Sequence, residues 1–500
     1  MTSVAVKIIA DALSAAGLLA SVRGEVPDAI TGITDDSRRV ESGGLFVAVR
    51  GAVLDGQDFL AAAAEAGAAL AMVEDPSGTA LPAFVVKDTR RAAAVAAAAF
   101  YGEPARGMRL VGVTGTNGKT TTVGMLRHLL DADGARSASI GTLGVLVGSE
   151  GMEQAGGVTL TTPGPVELQR LLRELSASSV RTVVMEVSSH ALDQQRVHGI
   201  RFGVAVFTNF TRDHLDYHGT MERYLAAKAS LLALLAPDGT AVRNADDDAW
   251  GALGAAPRWV SFGQHSTTAD VRAKDVQCTA RGSRWTLSAF GEEYPVRLPL
   301  IGDFNVSNAL AAVAAAHAAG MSLERVALRL SLTPQVPGRL EILAEGPTVL
   351  RDYAHTPDAL ERALTALRPF TAGRLIAVFG AGGDRDRGKR PLMAEVADRL
   401  ADAIIVTSDN PRTEDPERII DEIVAALPAS RYERIEDRHA AIARAIAMAD
   451  PARDIVLLAG KGHETYQVRG SERLPFDEKV IVRDLMRARD AKTRNNRVHA

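Results

Sequence analysis

The run Gly112-Val113-Thr114-Gly115-Thr116-Asn117-Gly118-Lys119-Thr120 has the residue types and spacing that hold a nucleoside triphosphate. Glycines let backbone N–H groups approach phosphate oxygens, the lysine reaches the outer phosphates, and the hydroxyl after it can hold magnesium. Thr114, Gly115, Thr116, Asn117, Gly118, Lys119 and Thr120 are therefore the phosphate-side candidates. Such a loop needs a strand before it and a helix after it, so that the helix N-terminus faces the anion. Arg109 to Val113 reads as that strand and Lys119 to Asp131 as that helix. Nucleotide binding alone does not choose a reaction, since motors, switches and ligases share the loop.

Three further residues have types suited to a metal-assisted reaction. Glu186 ends the apolar, β-branched run from Thr182, a place where α/β sheets present ligands. Its carboxylate is the hard oxygen donor that magnesium prefers. His214 lies in Asp213-His214-Leu215-Asp216-Tyr217-His218-Gly219, behind a second strand-like run, Val204 to Asn209. Lys228 lies in Tyr224-Leu225-Ala226-Ala227-Lys228, on a helical stretch. Taken singly, Glu186 reads equally well as a solvated strand-end acid, His214 as a structural histidine and Lys228 as a surface lysine.

The elements around these residues alternate. The 500 residues suggest about three domains of roughly 150 residues each. In the first hundred, Leu45 to Val49 and Ala83 to Val86 read as strands and Arg90 to Phe100 as a helix, ended by Tyr101-Gly102-Glu103-Pro104. Pro165 to Ser176 and Met221 to Leu235 read as helices between buried strands, the pattern of a doubly wound α/β domain. Residues 258 to 300 are strand-like, and Asn305 to Ala319 is an Ala-rich helix. Beyond Pro337-Gly338 a second alternation begins, with strands at Val349 to Tyr353, Leu375 to Phe379, Ala403 to Thr407 and Ile455 to Ala459. The polar end from Ala491 reads as frayed.

Composition bounds the function class. Hydrophobic residues are 46% and charged residues 24%, as in globular proteins, and the net charge of −4 supplies no field for nucleic acid. The most apolar stretches, such as Ala92 to Phe100, are about half the length a membrane span needs, and no signal peptide is read. Cys278 is the single cysteine, so neither a disulfide nor a cysteine metal site is expected and the cytoplasm is the expected compartment.

The form Thr114-Gly115-Thr116-Asn117-Gly118-Lys119-Thr120 resembles the Mur ligase and folylpolyglutamate synthetase superfamily. The segments Glu186-Val187-Ser188-Ser189-His190-Ala191-Leu192, Asp213 to Gly219 and Tyr224 to Lys228 follow in the order found in Mur ligases. The resemblance implies an ATP- and magnesium-dependent ligase that passes through an acyl phosphate, with Lys119, Glu186, His214 and Lys228 as catalytic residues. It implies Thr120, Glu186, His214 and a carbamylated Lys228 around the metal. It further implies an α/β protein of three domains: an N-terminal UDP-binding domain over 1–106, a central P-loop doubly wound ATPase domain over 107–337 and a C-terminal Rossmann-like domain over 338–500. Asn305, in Gly302-Asp303-Phe304-Asn305, resembles an adenine contact; Arg339, in Pro337-Gly338-Arg339, a phosphate contact; and Asp352, in Asp352-Tyr353-Ala354-His355, a ribose contact. Ligands from more than one domain imply closure around the nucleotide.

The same resemblance narrows the substrates to those of the MurE branch. Asp35-Asp36-Ser37-Arg38 matches its N-terminal domain, with Ser37 the uridine-side candidate. Thr161, Thr162, Ser188, Gln194 and Arg196 fall at the spacing for the muramoyl dipeptide. Asp409-Asn410-Pro411-Arg412 resembles the diaminopimelate-selecting version, because an arginine can fork onto a distal carboxylate that lysine lacks. Arg385, in Gly382-Gly383-Asp384-Arg385-Asp386, is a second carboxylate candidate; Gly460 and Glu464, in Gly460-Lys461-Gly462-His463-Glu464, complete the amino-acid set. A folate-polyglutamylating ligase would lack the N-terminal segment and the Arg412 motif, and a lysine- or ornithine-adding relative would lack Arg412. A non-catalytic nucleotide switch would tolerate loss of Lys119, Glu186, His214 or Lys228, and a motor would carry coupling or oligomerisation segments. The expected partners are small molecules: the UDP-muramoyl dipeptide, meso-diaminopimelate and ATP. No nucleic acid, membrane insertion or second subunit is expected.

Overall fold

The structure is a computed structural model, and it describes residues 3–51, 54–131, 134–153 and 160–498. It falls into two compact units, one of residues 1–272 with 310–326 and one of residues 273–309 with 327–500.

The first unit carries two sheets. The N-terminal sheet orders its strands Leu19–Arg23, Ala83–Val86, Leu70–Val73, Leu45–Val47 and Ile33–Thr34, parallel except for the first. Helices Val6–Ala15 and Thr89–Phe100 cover one face of it. The second helix is nearly all alanine on its buried side, and such small side chains let helices approach closely. Asp88 caps it by accepting from Arg91 N.

The larger sheet of this unit holds the phosphate loop. Strand Arg109–Thr114 lies between Val180–Glu186 and Phe202–Phe207, with Arg136–Gly141 beyond the former and Leu235–Asn244 and Arg258–Gly263 beyond the latter, all parallel. Parallel strands buried on both faces must be apolar throughout, as Leu110, Val111, Val183, Val184 and Val206 are. The pairing sets Glu186 opposite Val113 and Phe207 opposite Thr114. The loops after all three strands therefore emerge side by side, at the carboxyl edge where such sheets bind ligands.

One expected element changes length. The helix read over Met221 to Leu235 stops at Ala229, continues as a 3-10 turn over Ser230–Leu234, and gives way to strand Leu235–Asn244. Leu231 and Leu235 are buried either way, so apolar spacing alone could not separate the two. Pro237-Asp238-Gly239 inside that strand is absorbed by a shift of register between Phe202 and Val204.

The second unit contains the hairpin Gly282–Ala289/Glu292–Leu298, turned at Phe290 and Gly291, both with positive φ. Its main sheet orders Glu341–Ala344, Thr348–Asp352, Ile455–Ala459, Leu375–Phe379, Ala403–Val406 and Tyr432–Arg434. Only the Glu341–Ala344 edge is antiparallel. Helices bury both faces. The segments after Asp352, Phe379, Val406 and Ala459 leave the same edge. The end read as frayed from Ala491 is helical to Val498, continuing the helix that starts at Glu478, and residues 499–500 lie outside the described residues.

Candidate active site

In the first unit the phosphate loop is shaped by two glycines. Gly118 has φ 83° and ends the loop at the helix N-terminus. A Cβ on Gly115 would lie 1.9 Å from Thr208 Oγ1, so only glycine fits there. Lys119 Nζ donates to Gly115 O at 2.9 Å and Thr116 O at 2.7 Å. Lys228 Nζ donates to the same Gly115 O at 2.7 Å and is 1% exposed. Burial, and then the positive charge of Lys119, hold the Lys228 amine well below the usual lysine range. The lysine that reads as a surface residue by itself is thus an interior amine beside the phosphate loop.

The segment after Phe202–Phe207 braces this loop. Thr208 Oγ1 and Asn209 Nδ2 donate to Asn117 O at 2.7 and 3.0 Å, and Asn209 Oδ1 accepts from Asn117 N at 2.8 Å. Thr116 Oγ1 contacts Thr211 O and the Tyr224 hydroxyl. Thr114 is buried in the strand itself and Thr120 in the first helical turn. His214, with φ 52°, stacks edge-on to His190 at 4.8 Å, and its Nε2 lies 3.4 Å from Asp213 Oδ2. Desolvation, helped by the charges of Lys119 and Lys228, holds its imidazole below the usual histidine range, although part of the ring meets solvent. Burial, then His214 and His218, push His190 down to about 4.

Glu186 is 1% exposed at the end of its strand. Its oxygens accept from Thr142 N at 2.9 Å and Thr142 Oγ1 at 3.2 Å. Thr142 Oγ1 also meets Thr161 Oγ1 at 3.2 Å. Thr162 Oγ1 donates to Glu186 O and accepts from Ser188 N. Arg196 Nη1 donates to Thr162 O, while its Nε and Nη2 donate to Gln194 Oε1. Thr161, Thr162, Ser188, Gln194 and Arg196 are thus one connected network running into Glu186. Gln194 extends it to the Tyr217 hydroxyl, which donates to Asp193. Ser37 starts a short 3-10 turn capped by Asp36 and makes no side-chain bond to this network among the described residues.

In the second unit the four loops at the sheet edge interlock. Arg412 Nη1 donates to Gly383 O at 2.8 Å, and Gly383 N donates to Asn410 O. Asn410 Nδ2 donates to Glu464 Oε2 at 2.8 Å. Lys461, fully buried, donates to Asn410 Oδ1 at 3.0 Å and Glu464 Oε2 at 3.3 Å and lies 3.7 Å from Asp409 Oδ1. Two carboxylates around one ammonium leave a net negative charge. Gly460 has φ 114°, and a Cβ there would come within 2.9 Å of Asp409 Oδ2. Pro411 contributes its carbonyl, which accepts from Glu414 N. Arg385 is exposed and has no hydrogen bond or ion pair among the described residues.

The remaining nucleotide-side candidates also lie in the second unit. Arg339 stacks over the Tyr353 ring at 4.7 Å, and Asp352 Oδ2 accepts from Leu340 N at 2.7 Å. Asp352 sits deep in the loops with a little surface left to solvent, and burial pushes its carboxyl up to about 6. Asn305 is 1% exposed; its amide donates to Ile301 O and accepts from Asn308, so here it braces the start of its helix. Lys461, Asn209 and Tyr217 were legible as residue types but carried no assignment. Lys461 sits inside a motif from which only Gly460 and Glu464 were taken.

Among the described residues no group of three or more His, Cys, Asp or Glu side chains is arranged to hold a metal ion. Nor is any helix among them long and apolar enough to cross a membrane.

A phosphate loop with two lysines on its Gly115 carbonyl, at the carboxyl edge of a parallel sheet, fits the class of nucleotide-dependent enzymes. Comparison with known proteins agrees. Residues 29–103 match the family described as Mur ligase family, catalytic domain; 113–316 match the Mur ligase middle domain; and 338–462 match the Mur ligase, glutamate ligase domain. The chain belongs to the Mur ligase family and has its three-domain α/β architecture. It is 44% identical over 470 residues to the UDP-N-acetylmuramoyl-L-alanyl-D-glutamate–2,6-diaminopimelate ligase of Bacillus cereus, covering 92% of this chain and 94% of that protein. To the ligase of the same name from Synechococcus elongatus it is 46% identical over 479 residues, covering 91% and 93%. A solved structure of a ligase of that name superposes with a TM-score of 0.67 at 33% identity, covering 98% of this chain and all of that one. A folylpolyglutamate synthase of Mycobacterium tuberculosis shares the fold, with a TM-score of 0.62 at 22% identity over 74% of this chain and 91% of that one.

Proposed function

We propose that this chain joins meso-diaminopimelate to UDP-N-acetylmuramoyl-L-alanyl-D-glutamate, with ATP as co-substrate and magnesium as cofactor, in cytoplasmic synthesis of a peptidoglycan precursor. The reading rests on relatives of that name across more than nine-tenths of the chain. The observation that carries it is the pocket in which Arg412 is tied to the Gly382–Arg385 loop while Asn410 is tied to Glu464. Cations on one side and an acid on the other suit an amino acid with a distal carboxylate and a distal ammonium.

The substrate carboxylate attacks the γ-phosphorus of ATP, giving an acyl phosphate and ADP. The diaminopimelate amine then attacks the acyl carbon, inorganic phosphate leaves, and the amine loses its proton. Lys119 screens the repulsion between carboxylate and triphosphate and neutralises charge on the transferred group. Arg196, Gln194, Ser188, Thr161 and Thr162 orient the muramoyl dipeptide, and Ser37 meets its uridine. Arg339, Asp352 and Asn305 are the nucleotide contacts proposed from the second unit.

Magnesium, when bound, would supply a Lewis acid that offsets negative charge on the triphosphate. The donors fit it. Glu186 keeps lone pairs beyond those taken by Thr142, and Thr120 offers a hydroxyl. His214 completes the proposed protein set. Too few protein ligands for a closed cage is the usual state for magnesium, which takes the rest from phosphate and water. A neutral amine is what reacts with carbon dioxide, and burial and the charge of Lys119 shift Lys228 toward that form. Its nitrogen bonds to the carbon of carbon dioxide and releases a proton, leaving a carbamate anion as a further oxygen donor.

The proposed functional division is 1–106 for the UDP moiety, 107–337 for ATP and 338–500 for the amino acid, in a protein that acts as a monomer. The test is phosphate release from ATP with the UDP-muramoyl dipeptide and either meso-diaminopimelate or L-lysine. Turnover with diaminopimelate and at least tenfold less with lysine supports the reading. Turnover only with lysine removes Arg412 as selector, and no acceptor-dependent turnover removes the substrate class.

A further inference from the structure

Arg385 and Arg412, the two arginines proposed for the distal carboxylate, stand on different loops. A fork of two cations selects by their separation, so something must fix one loop against the other. Arg385 itself has no partner among the described residues, and its place depends on the backbone from Gly382 to Arg387.

That backbone is held largely by one carboxylate. Glu414, two residues beyond Arg412, accepts from Asp384 N at 2.6 Å through Oε1. The same Oε1 accepts from Arg390 Nη2 at 2.9 Å, and Oε2 accepts from Arg390 Nη1 and Arg387 Nη2, both at 3.0 Å. Arg390 is fully buried, and its Nη2 also donates to Gly382 O at 3.2 Å. Thr413 Oγ1 adds a bond to Asp384 Oδ1 at 2.7 Å. Asp384 has φ 55°, a conformation that non-glycine residues adopt only when held. The Arg390 guanidinium, ahead of the Asp384 amide, keeps the Glu414 carboxyl down at about 2, so the anchor is charged throughout the working range.

We propose that Glu414, clamped by Arg390, is a positioning residue that sets the separation of Arg385 and Arg412 and thereby selects the diaminopimelate carboxylate over lysine. A residue that served only to stabilise the fold would lower the fraction of active enzyme equally for every substrate. A positioning residue acts on one Michaelis constant and on the discrimination ratio. The inference rests on the substrate reading above.

The experiment compares the full-length parent with Glu414→Gln and, as a milder change at an exposed site, Thr413→Val. Glutamine keeps an acceptor for Asp384 N and loses the ionic clamp. For Glu414→Gln we expect KM for diaminopimelate to rise tenfold or more, and the diaminopimelate-to-lysine ratio of kcat/KM to fall by a similar factor. KM for ATP and for the UDP-muramoyl dipeptide should stay within twofold. Thr413→Val should raise the diaminopimelate KM severalfold in the same pattern. An unchanged diaminopimelate KM in both variants, or a rise shared by all three substrates, overturns the inference. A parent enzyme that does not use diaminopimelate overturns the substrate reading instead.

Discussion

The phosphate loop of the first unit and the proposed amino-acid site of the second both sit at the carboxyl edge of a parallel sheet, yet they hold their charges in opposite ways. At the phosphate loop, Lys119 and Lys228 both rest on the backbone carbonyl of Gly115, and Lys228 is pushed toward neutrality. At the second edge, Lys461 lies between Asp409 and Glu464, and Arg390 is clamped by Glu414 and Glu422. At the Gly115 carbonyl the two lysines meet no opposite charge, so burial and their mutual repulsion act on Lys228. Cations locked into carboxylates keep a fixed shape. The first arrangement suits chemistry shared by every nucleotide-activating ligase, and the second suits discrimination between amino acids.

Substitutions can break this contrast, and the largest effect is expected at the phosphate loop. Lys119→Ala should lower kcat by roughly 10³-fold, the scale of losing a charge-stabilising donor, with little change in thermal midpoint. Lys228→Ala should be comparably inactive, and the parent should lose activity when carbon dioxide is stripped and regain it with bicarbonate. Activity that ignores carbon dioxide would remove the carbamate. Next in size, Arg412→Ala should raise KM for diaminopimelate by roughly 10²-fold, as expected on removing a charged partner at an interface, and leave the ATP KM alone. Equal losses for both substrates would mean the two sites are not separable in function.

Gly460→Ala sharpens the contrast through the backbone. Its φ of 114° and the nearby Asp409 Oδ2 predict a loss of about 1–3 kcal/mol, readable as a lower urea midpoint. Asp352 leaves turnover aside and gives a distinctive pH signature in stability. Its folded pKa of about 6 lies above the ordinary aspartate value of 3.8, so between these values the folded state binds more protons than the unfolded one. Stability should therefore fall as pH rises from 4 to 6 and level off above. Asp352→Asn should remove that slope, so that its gain over the parent grows across this window to about 3 kcal/mol at pH 7. A gain that does not change with pH would mean Asp352 is ionised throughout.

Much of the candidate site was visible as motifs, because phosphate loops and strand-end acids are local chemistry. The Gly115–Thr120 loop, its strand and its helix fall where residue spacing puts them. The α/β class and the second alternation beyond Pro337 follow from apolar runs of strand length between helical ones. What the spacing could not express is contact between distant segments. Asn209 bracing Asn117, Tyr217 joining Gln194 and Lys461 joining Asn410 to Glu464 are bonds between residues far apart in the chain. The end of the helix at Ala229 was likewise hidden, because the same apolar residues are buried in the strand that follows.

By itself, then, the order of residues determined which groups exist and which strand ends they follow, since hydrophobic periodicity and loop glycines act over a few residues. Tertiary structure decided their state. Lys228 is an interior amine with a depressed pKa only because its helix packs against the phosphate loop. The loops that carry Arg385 and Arg412 meet only because neighbouring parallel strands bring them together, where Glu414 can tie one to the other. Burial and cross-loop hydrogen bonds depend on the assembled sheet, and no local pattern encodes them.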